Sequence, residues 1–193
     1  MWKFVAACIV GVCCVLVIGT AGAISFEARD FDALAGEAEQ IVIGTVTATN
    51  PRRTGEREIV TDYRFDDLKI LKGMVPTGSL TLTMLGGTVG TDTLAVAGAP
   101  KFQRGKRYLV FVTGNGSVMF PLVGGHQGIF QMRTDAASGV SRVHDHTGRP
   151  MTRLPGRAAK APVDSAGVDG GAPMTETAFV DAIRGKVAGR GAP

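Results

Sequence analysis

Any chemistry in this chain would have to begin with its three histidines. His144-Asp145-His146 places two imidazoles two residues apart, on one face if the segment is extended. A zinc ion needs three or four ligands, and His126 is the one remaining imidazole. His126, His144 and His146 therefore define the single metal-dependent hydrolase reading that the sequence allows. No His-Glu-x-x-His motif supports it, and a solvated hairpin end accounts for the same residues. Serine chemistry has no Gly-x-Ser-x-Gly elbow to start from. Ser117 follows the Asn115-Gly116 turn, and Ser138 and Ser141 lie in a hairpin near His144. Asp62 and Asp66 share a strand parity and could work as an acid–base pair if buried together, but an outer strand face is the usual place for such residues. Gly86 to Gly90 lacks the Lys-Ser/Thr and the following helix of a phosphate loop. Arg52, Arg53 and Arg57 cluster without interleaved aromatics, which argues against single-strand nucleic acid and fits an electrostatic contact to an acidic partner. No catalytic residue and no cofactor is assigned on these grounds.

The elements that would position these residues are mostly strands. Phe31, Leu34 and Ala38 form an apolar stripe in a short helix over Asp30 to Gln40, with Asp30 as its N-cap. Ile41 to Thr47 is rich in β-branched residues and reads as a strand, followed by a polar loop from Asn50 to Arg57. In Ile59 to Leu71 the apolar parity flips at Asp66-Asp67, since Tyr63 and Phe65 alternate out of phase with Leu68 and Ile70. One extra residue there, a β-bulge, restores a single buried face. Leu80 to Met84 alternates as a half-buried strand, Gly86 to Gly90 is a glycine-rich loop, and Thr93 to Ala97 is a short edge strand. Arg107 to Thr113 is nearly all apolar and therefore central, with Ser117 to Val123 returning as its partner after Gly114-Asn115-Gly116. Gly128 to Thr134 and Val140 to His144 form a last hairpin. Residues 149–173 have no periodicity and read as a flexible linker. Thr175 or Thr177 then caps an amphipathic helix over 174–188, whose stripe of Phe179, Ile183 and Val187 either docks on the strands or grips a partner. Strands at this spacing imply an all-β domain over 30–148 with minor helices, a closed or partly open antiparallel barrel of OB-like type.

Lys3, the uncharged apolar run from Phe4 to Ile18 and the small-x-small site Ala21-Gly22-Ala23 read as a cleavable signal peptide over 1–23. The apolar run is short for a span, which takes about 18 to 20 residues. The expected product is therefore secreted or periplasmic. Cys8, Cys13 and Cys14 are the only cysteines, so the 170 residues from Ile24 carry none. Disulfides, cysteine metal sites and a cysteine nucleophile are excluded from the exported form. Loss of Lys3 lowers the formal net charge from +4 to +3, too small an excess to argue for nucleic acid.

Glu39 to Val46, Leu71-Lys72-Gly73, Gly86-Gly87 with Gly90, Gly98 to Phe102, Gly105 to Phe111 and Gln127 to Phe130 together resemble a loose group of exported bacterial proteins. The resemblance implies an OB-type barrel over residues 30 to 148 and is more distant to netrin-like modules and the tissue inhibitors of metalloproteinases. It implies an exported protein partner, a matrixin-type protease. Those inhibitors place an N-terminal Cys on the protease zinc, and the exported chain has no Cys, so that mechanism does not carry over. The expected function is a non-catalytic exported module that binds a protein or the envelope, with Arg52, Arg53, Arg57, Phe179 and Ile183 as contacts. The alternatives are the hydrolase above and a periplasmic small-ligand carrier using the barrel mouth.

Overall fold

The computed structural model describes residues 28–75, 78–156 and 171–190. The expected signal peptide and the central part of the expected linker lie outside the described residues. Among the described residues, no helix is long and apolar enough to cross a membrane.

The chain is mainly β, with a helix at each end. Helix α1 (Phe31–Glu37) is capped by Asp30, whose Oδ1 accepts from the Ala33 N–H at 2.8 Å. The strands are β1 (Gln40–Arg53), β2 (Ile59–Lys72), β3 (Leu80–Leu85), β4 (Gly87–Val89), β5 (Asp92–Leu94), β6 (Arg107–Val112), β7 (Ile129–Thr134) and β8 (Ser141–His144). A 3-10 turn at Gly125–Gly128 precedes β7, and helix α2 (Glu176–Arg190) follows Thr175, whose Oγ1 accepts from the Ala178 N–H. Six strands form one antiparallel sheet in the order β3-β2-β1-β6-β7-β8, and β4 and β5 form a separate ribbon. The sheet is open: β3 and β8 are its edges. Residues 113–122 bond to the edge strand β3, with Leu85 N donating to Met119 O at 3.1 Å and Asn115 Nδ2 donating to Thr81 O at 2.8 Å.

Both faces of β6 and of the first half of β1 are buried, so Ile41 to Ile43 and Tyr108 to Val112 read as continuous apolar runs. Ile41, Ile43, Leu109 and Phe111 point to one core, which α1 and α2 cover. Val42, Val46, Tyr108, Val110 and Val112 point to the other, on the opposite face, where Tyr63, Phe65, Leu82 and Phe102 complete it.

The expected bulge is present. Thr45 pairs with Asp66 and Ile43 with Lys69, so Asp67 and Leu68 together oppose Gly44. Asp67 takes φ 52°, and Tyr63, Phe65 and Leu68 then pack in the same core. A second shift leaves Leu71 as the extra residue, which sends Leu71 to the helical core and leaves Ile70 44% exposed. Gly44 has no room for a side chain: a Cβ there would lie 2.7 Å from Leu68 Cδ2 and 3.2 Å from Asp66 O. Gly44→Val is expected to destabilise the fold by about 2–3 kcal/mol through overpacking, read as a lower urea midpoint. A change below half of that would mean the bulge adapts freely.

Several expected boundaries move. Asn50 to Arg53 belong to β1 rather than to a loop. β6 pairs β1 only over Gln40–Thr45, so the outer half of β1 has a side without β6, where the missing N–H of Pro51 breaks no ladder. Part of the glycine loop, Gly87–Val89, is β4, paired with Asp92–Leu94. Ser117 to Val123 is not a strand. It contributes one bridge, Val112 to Leu122, because it turns away to reach β3. Residues 149–156 are not a free linker: Met151 N donates to Val143 O at 2.9 Å, Phe31 N donates to Pro155 O at 2.9 Å, and Leu154 packs on the helical core.

Candidate functional site

An open groove of about 710 Å³ lies where the 99–106 loop, β7, the 3-10 turn and the turn after β8 converge. The sequence places each part for a local reason. Phe102 inserts into the second core, with ring centroids 5.3 Å from Tyr63, 5.1 Å from Phe65 and 5.0 Å from Tyr108. That anchor leaves its neighbours Lys101 and Gln103 exposed at the rim of the groove. Tyr108 lies on the groove's inner wall, and its hydroxyl accepts the Gln103 N–H at 3.2 Å. Arg133 comes from the exposed end of β7 and donates from Nε to Gln131 Oε1 at 2.7 Å. Asp145 shapes the turn after β8: its Oδ1 accepts from Thr147 N, Thr147 Oγ1 and Arg149 N at 2.8, 2.6 and 3.0 Å.

His126 and His146 meet in this groove with ring centroids 5.0 Å apart and planes tilted by 31°. His126 Nε2 lies 2.8 Å from the Gly98 carbonyl, which can only accept, so Nε2 carries a proton. His144 stays outside the groove lining, with Nδ1 3.3 Å from Arg142 O. The strand ends at His144 and the Asp145 turn begins, so the two-residue alternation that would align His144 with His146 fails. Among the described residues no three His, Cys, Asp or Glu side chains are grouped to hold a metal ion.

Desolvation, and then the nearby His126, hold His146 below the ordinary imidazole range against the opposing pull of Asp145. Desolvation also leads the lowering at His144. A lowered folded pKa means that the unfolded chain binds more protons just below pH 6.5, the ordinary value, so stability falls as pH drops through that window. The urea midpoint is expected to decrease between pH 7.5 and 5.5, and the double variant His144→Gln, His146→Gln to flatten that slope. An unchanged slope in the variant would refute the assignment.

The other sequence candidates do not form a site. Arg52 is held by Asp62, from Nε to Oδ2 at 2.7 Å and from Nη2 to Oδ1 at 3.3 Å, and Thr83 Oγ1 donates to Asp62 Oδ1 at 2.7 Å. Burial alone would push Asp62 up, but Arg52 and Thr83 hold it below the usual carboxylate range. Arg53 is paired with Asp92. Of the three arginines only Arg57 has no ion pair among the described residues, because Asp62 on β2 and Asp92 on β5 take up the other two charges. Asp66 bonds Thr47 and Arg64 rather than Asp62, so the two aspartates are not an acid–base pair. Ser138 Oγ donates to Asp135 within its own turn. Phe179 and Ile183 are 0% exposed under α2, so the helix docks on the sheet and neither is a surface contact. Lys101, Lys106 and Arg133, which the sequence did not single out, are brought together by the fold. No pattern marks them, since Arg133 lies 27 positions beyond Lys106 and 32 beyond Lys101. No protein-family model, no curated protein and no solved structure matches this chain, so the site is read from its own residues.

Proposed function

We propose that the chain is an exported, non-catalytic binding protein that takes its partner in the groove between the 99–106 loop and the β7–β8 end of the sheet. One observation carries this reading. Lys101, Lys106 and Arg133 line one concavity, and none has an ion-paired carboxylate among the described residues. Cations kept together and unneutralised repel one another, and a ligand relieves that repulsion. The hydroxyls lining the groove support binding rather than turnover: Thr147 Oγ1 donates to Asp145, and the Tyr108 hydroxyl already holds a backbone N–H. Export rests on the charged, apolar and small-residue order of residues 1–23.

The groove volume lies within the range of about 300–1,000 Å³ usual for small-molecule sites, which favours the ligand-carrier form of this reading as a second possibility. The chain beginning at Ile24, immobilised and exposed to envelope and secreted fractions of the producing cells, is expected to retain a partner that the triple variant Lys101→Glu, Lys106→Glu, Arg133→Glu loses. Native mass spectrometry of the retained material separates a macromolecule from a small ligand. Full retention by the variant, or turnover in a panel of hydrolase substrates, would overturn the proposal. N-terminal sequencing of the exported form is expected to begin at Ile24.

A further inference from the structure

We infer that the groove is a site for a doubly charged tetrahedral oxyanion, a phosphate or sulfate group carried by a small polar ligand. The inference rests on the groove reading above and adds the chemistry of what the groove takes. Four separate segments deliver cations or imidazoles to one volume: Lys101 and Lys106 from the loop, Arg133 from β7, His126 from the 3-10 turn and His146 from the turn after β8. Against them stands one carboxylate, Asp145, whose Oδ1 already accepts three hydrogen bonds inside its own turn. The lining is poor in apolar side chains, with Ala99 and Ile129 as its aliphatic members, so burial of hydrocarbon is not what holds the ligand. Converging point charges and a planar guanidinium instead match an oxyanion that accepts several donors at once. A carboxylate would use fewer of them.

The imidazole pair adds a proton to this recognition. His146 faces His126 at 5.0 Å and shares the groove with Lys101, Lys106, Tyr108, Arg133 and Asp145. With the groove empty, desolvation and the neighbouring His126 oppose a charge on His146, and Asp145 favours one. A bound dianion reverses the balance. Binding therefore takes up a proton and tightens as the solution becomes more acidic. Sulfate isolates this effect, because it keeps its double charge across the range in which phosphate loses one.

The test uses the full exported chain from Ile24, titrated with sodium sulfate and with inorganic pyrophosphate at constant ionic strength, with chloride as the control. Saturable binding is expected, with the His126 and His146 ring signals moving together. Lys101→Ala and Arg133→Ala are each expected to weaken it about tenfold. Both side chains are exposed, so melting temperatures should stay close to that of the parent. Sulfate should bind more tightly at pH 5.5 than at pH 8, and His146→Gln should flatten that profile. Vesicles containing phosphatidic acid separate a lipid headgroup from a free phosphorylated or sulfated ligand: the soluble anions should compete with any vesicle binding if one site serves both.

Binding no stronger than that of chloride, or binding that survives loss of all three cations, overturns the inference. If no dianion saturates the groove but the charge-reversed triple variant still loses the natural partner, the anion class is wrong and the groove reading stands. If that variant keeps the partner, both fall.

Discussion

Phe102→Ala is expected to cost about 3–5 kcal/mol of stability and, in the fraction that stays folded, to weaken ligand binding at the groove. Phe102 is 6% exposed although it belongs to no strand. Its ring meets Tyr63, Phe65 and Tyr108 edge-on, with interplanar angles of 76°, 84° and 72°. Edge-to-face packing lets the positive ring edge meet the negative face of its neighbour, which adds to the area buried. The loop fills the core on this face of the open sheet, so truncation opens a cavity that the surrounding strands cannot close. The same ring fixes the backbone between Lys101 and Gln103. Without it, the cations at the rim lose their common geometry even where the sheet survives. Urea unfolding monitors the first effect. Sulfate titration under conditions where the variant is fully folded monitors the second. Phe102→Leu, which refills part of the volume, should recover much of both. A loss below 1 kcal/mol would show that the loop is not an anchor.

Phe179→Ala should be equally costly, about 3–5 kcal/mol, and should leave the groove intact. Phe179 is fully buried, with ring centroids 5.7 Å from Phe31 and 5.0 Å from Phe130, and so ties both helices to the sheet. An isolated helix of this length is marginal in water, so α2 depends on this packing. The Lys186–Asp32 pair at 2.8 Å and the Lys69–Glu176 pair at 3.9 Å lie at the surface and add little. Truncation after residue 170 is expected to expose Ile41, Ile43, Leu109, Phe111 and Phe130 and to cause dye binding and aggregation. A helix that served mainly to grip a partner would show the opposite pattern, with stability unchanged and binding lost. Comparing melting temperature with sulfate affinity for Phe102→Ala and Phe179→Ala thus separates the two cores: both variants unfold more easily, but only the first should alter the groove.

The strands that carry the sheet were legible because each obeys a local rule. Ile41 to Ile43 and Tyr108 to Val112 are apolar without interruption, as segments covered on both faces must be. The flip of parity at Asp66-Asp67 identified the bulge because a one-residue slip would otherwise have turned Leu68 to the wrong side. The cap Asp30 was legible for the same reason, and the second cap was narrowed to Thr175 or Thr177, since a side-chain oxygen satisfies backbone N–H groups only a few residues away; the Ala178 N–H selects Thr175. Partners distant in sequence were not legible. Arg52 and Arg53 looked free until the fold placed Asp62 and Asp92 beside them. The stripe of Phe179 and Ile183 left two targets open, the strands or a partner, and only the contacts with Phe31 and Phe130 decide between them.

The histidines show where the boundary falls. Their number and spacing come from the chain alone, as does the absence of any cysteine after residue 23. Both restrict the chemistry before any folding is considered. Which imidazoles meet was decided by tertiary structure: the turn at Asp145 separates His144 from His146, and the 3-10 turn brings His126 to His146 instead. Lys101, Lys106 and Arg133 joined them only through the insertion of Phe102 and the pairing of β6 with β7. Local periodicity and capping act over a few residues and can be read along the chain. A binding groove sums charges from segments that only long-range packing makes neighbours, and the linear order of the residues does not contain that sum.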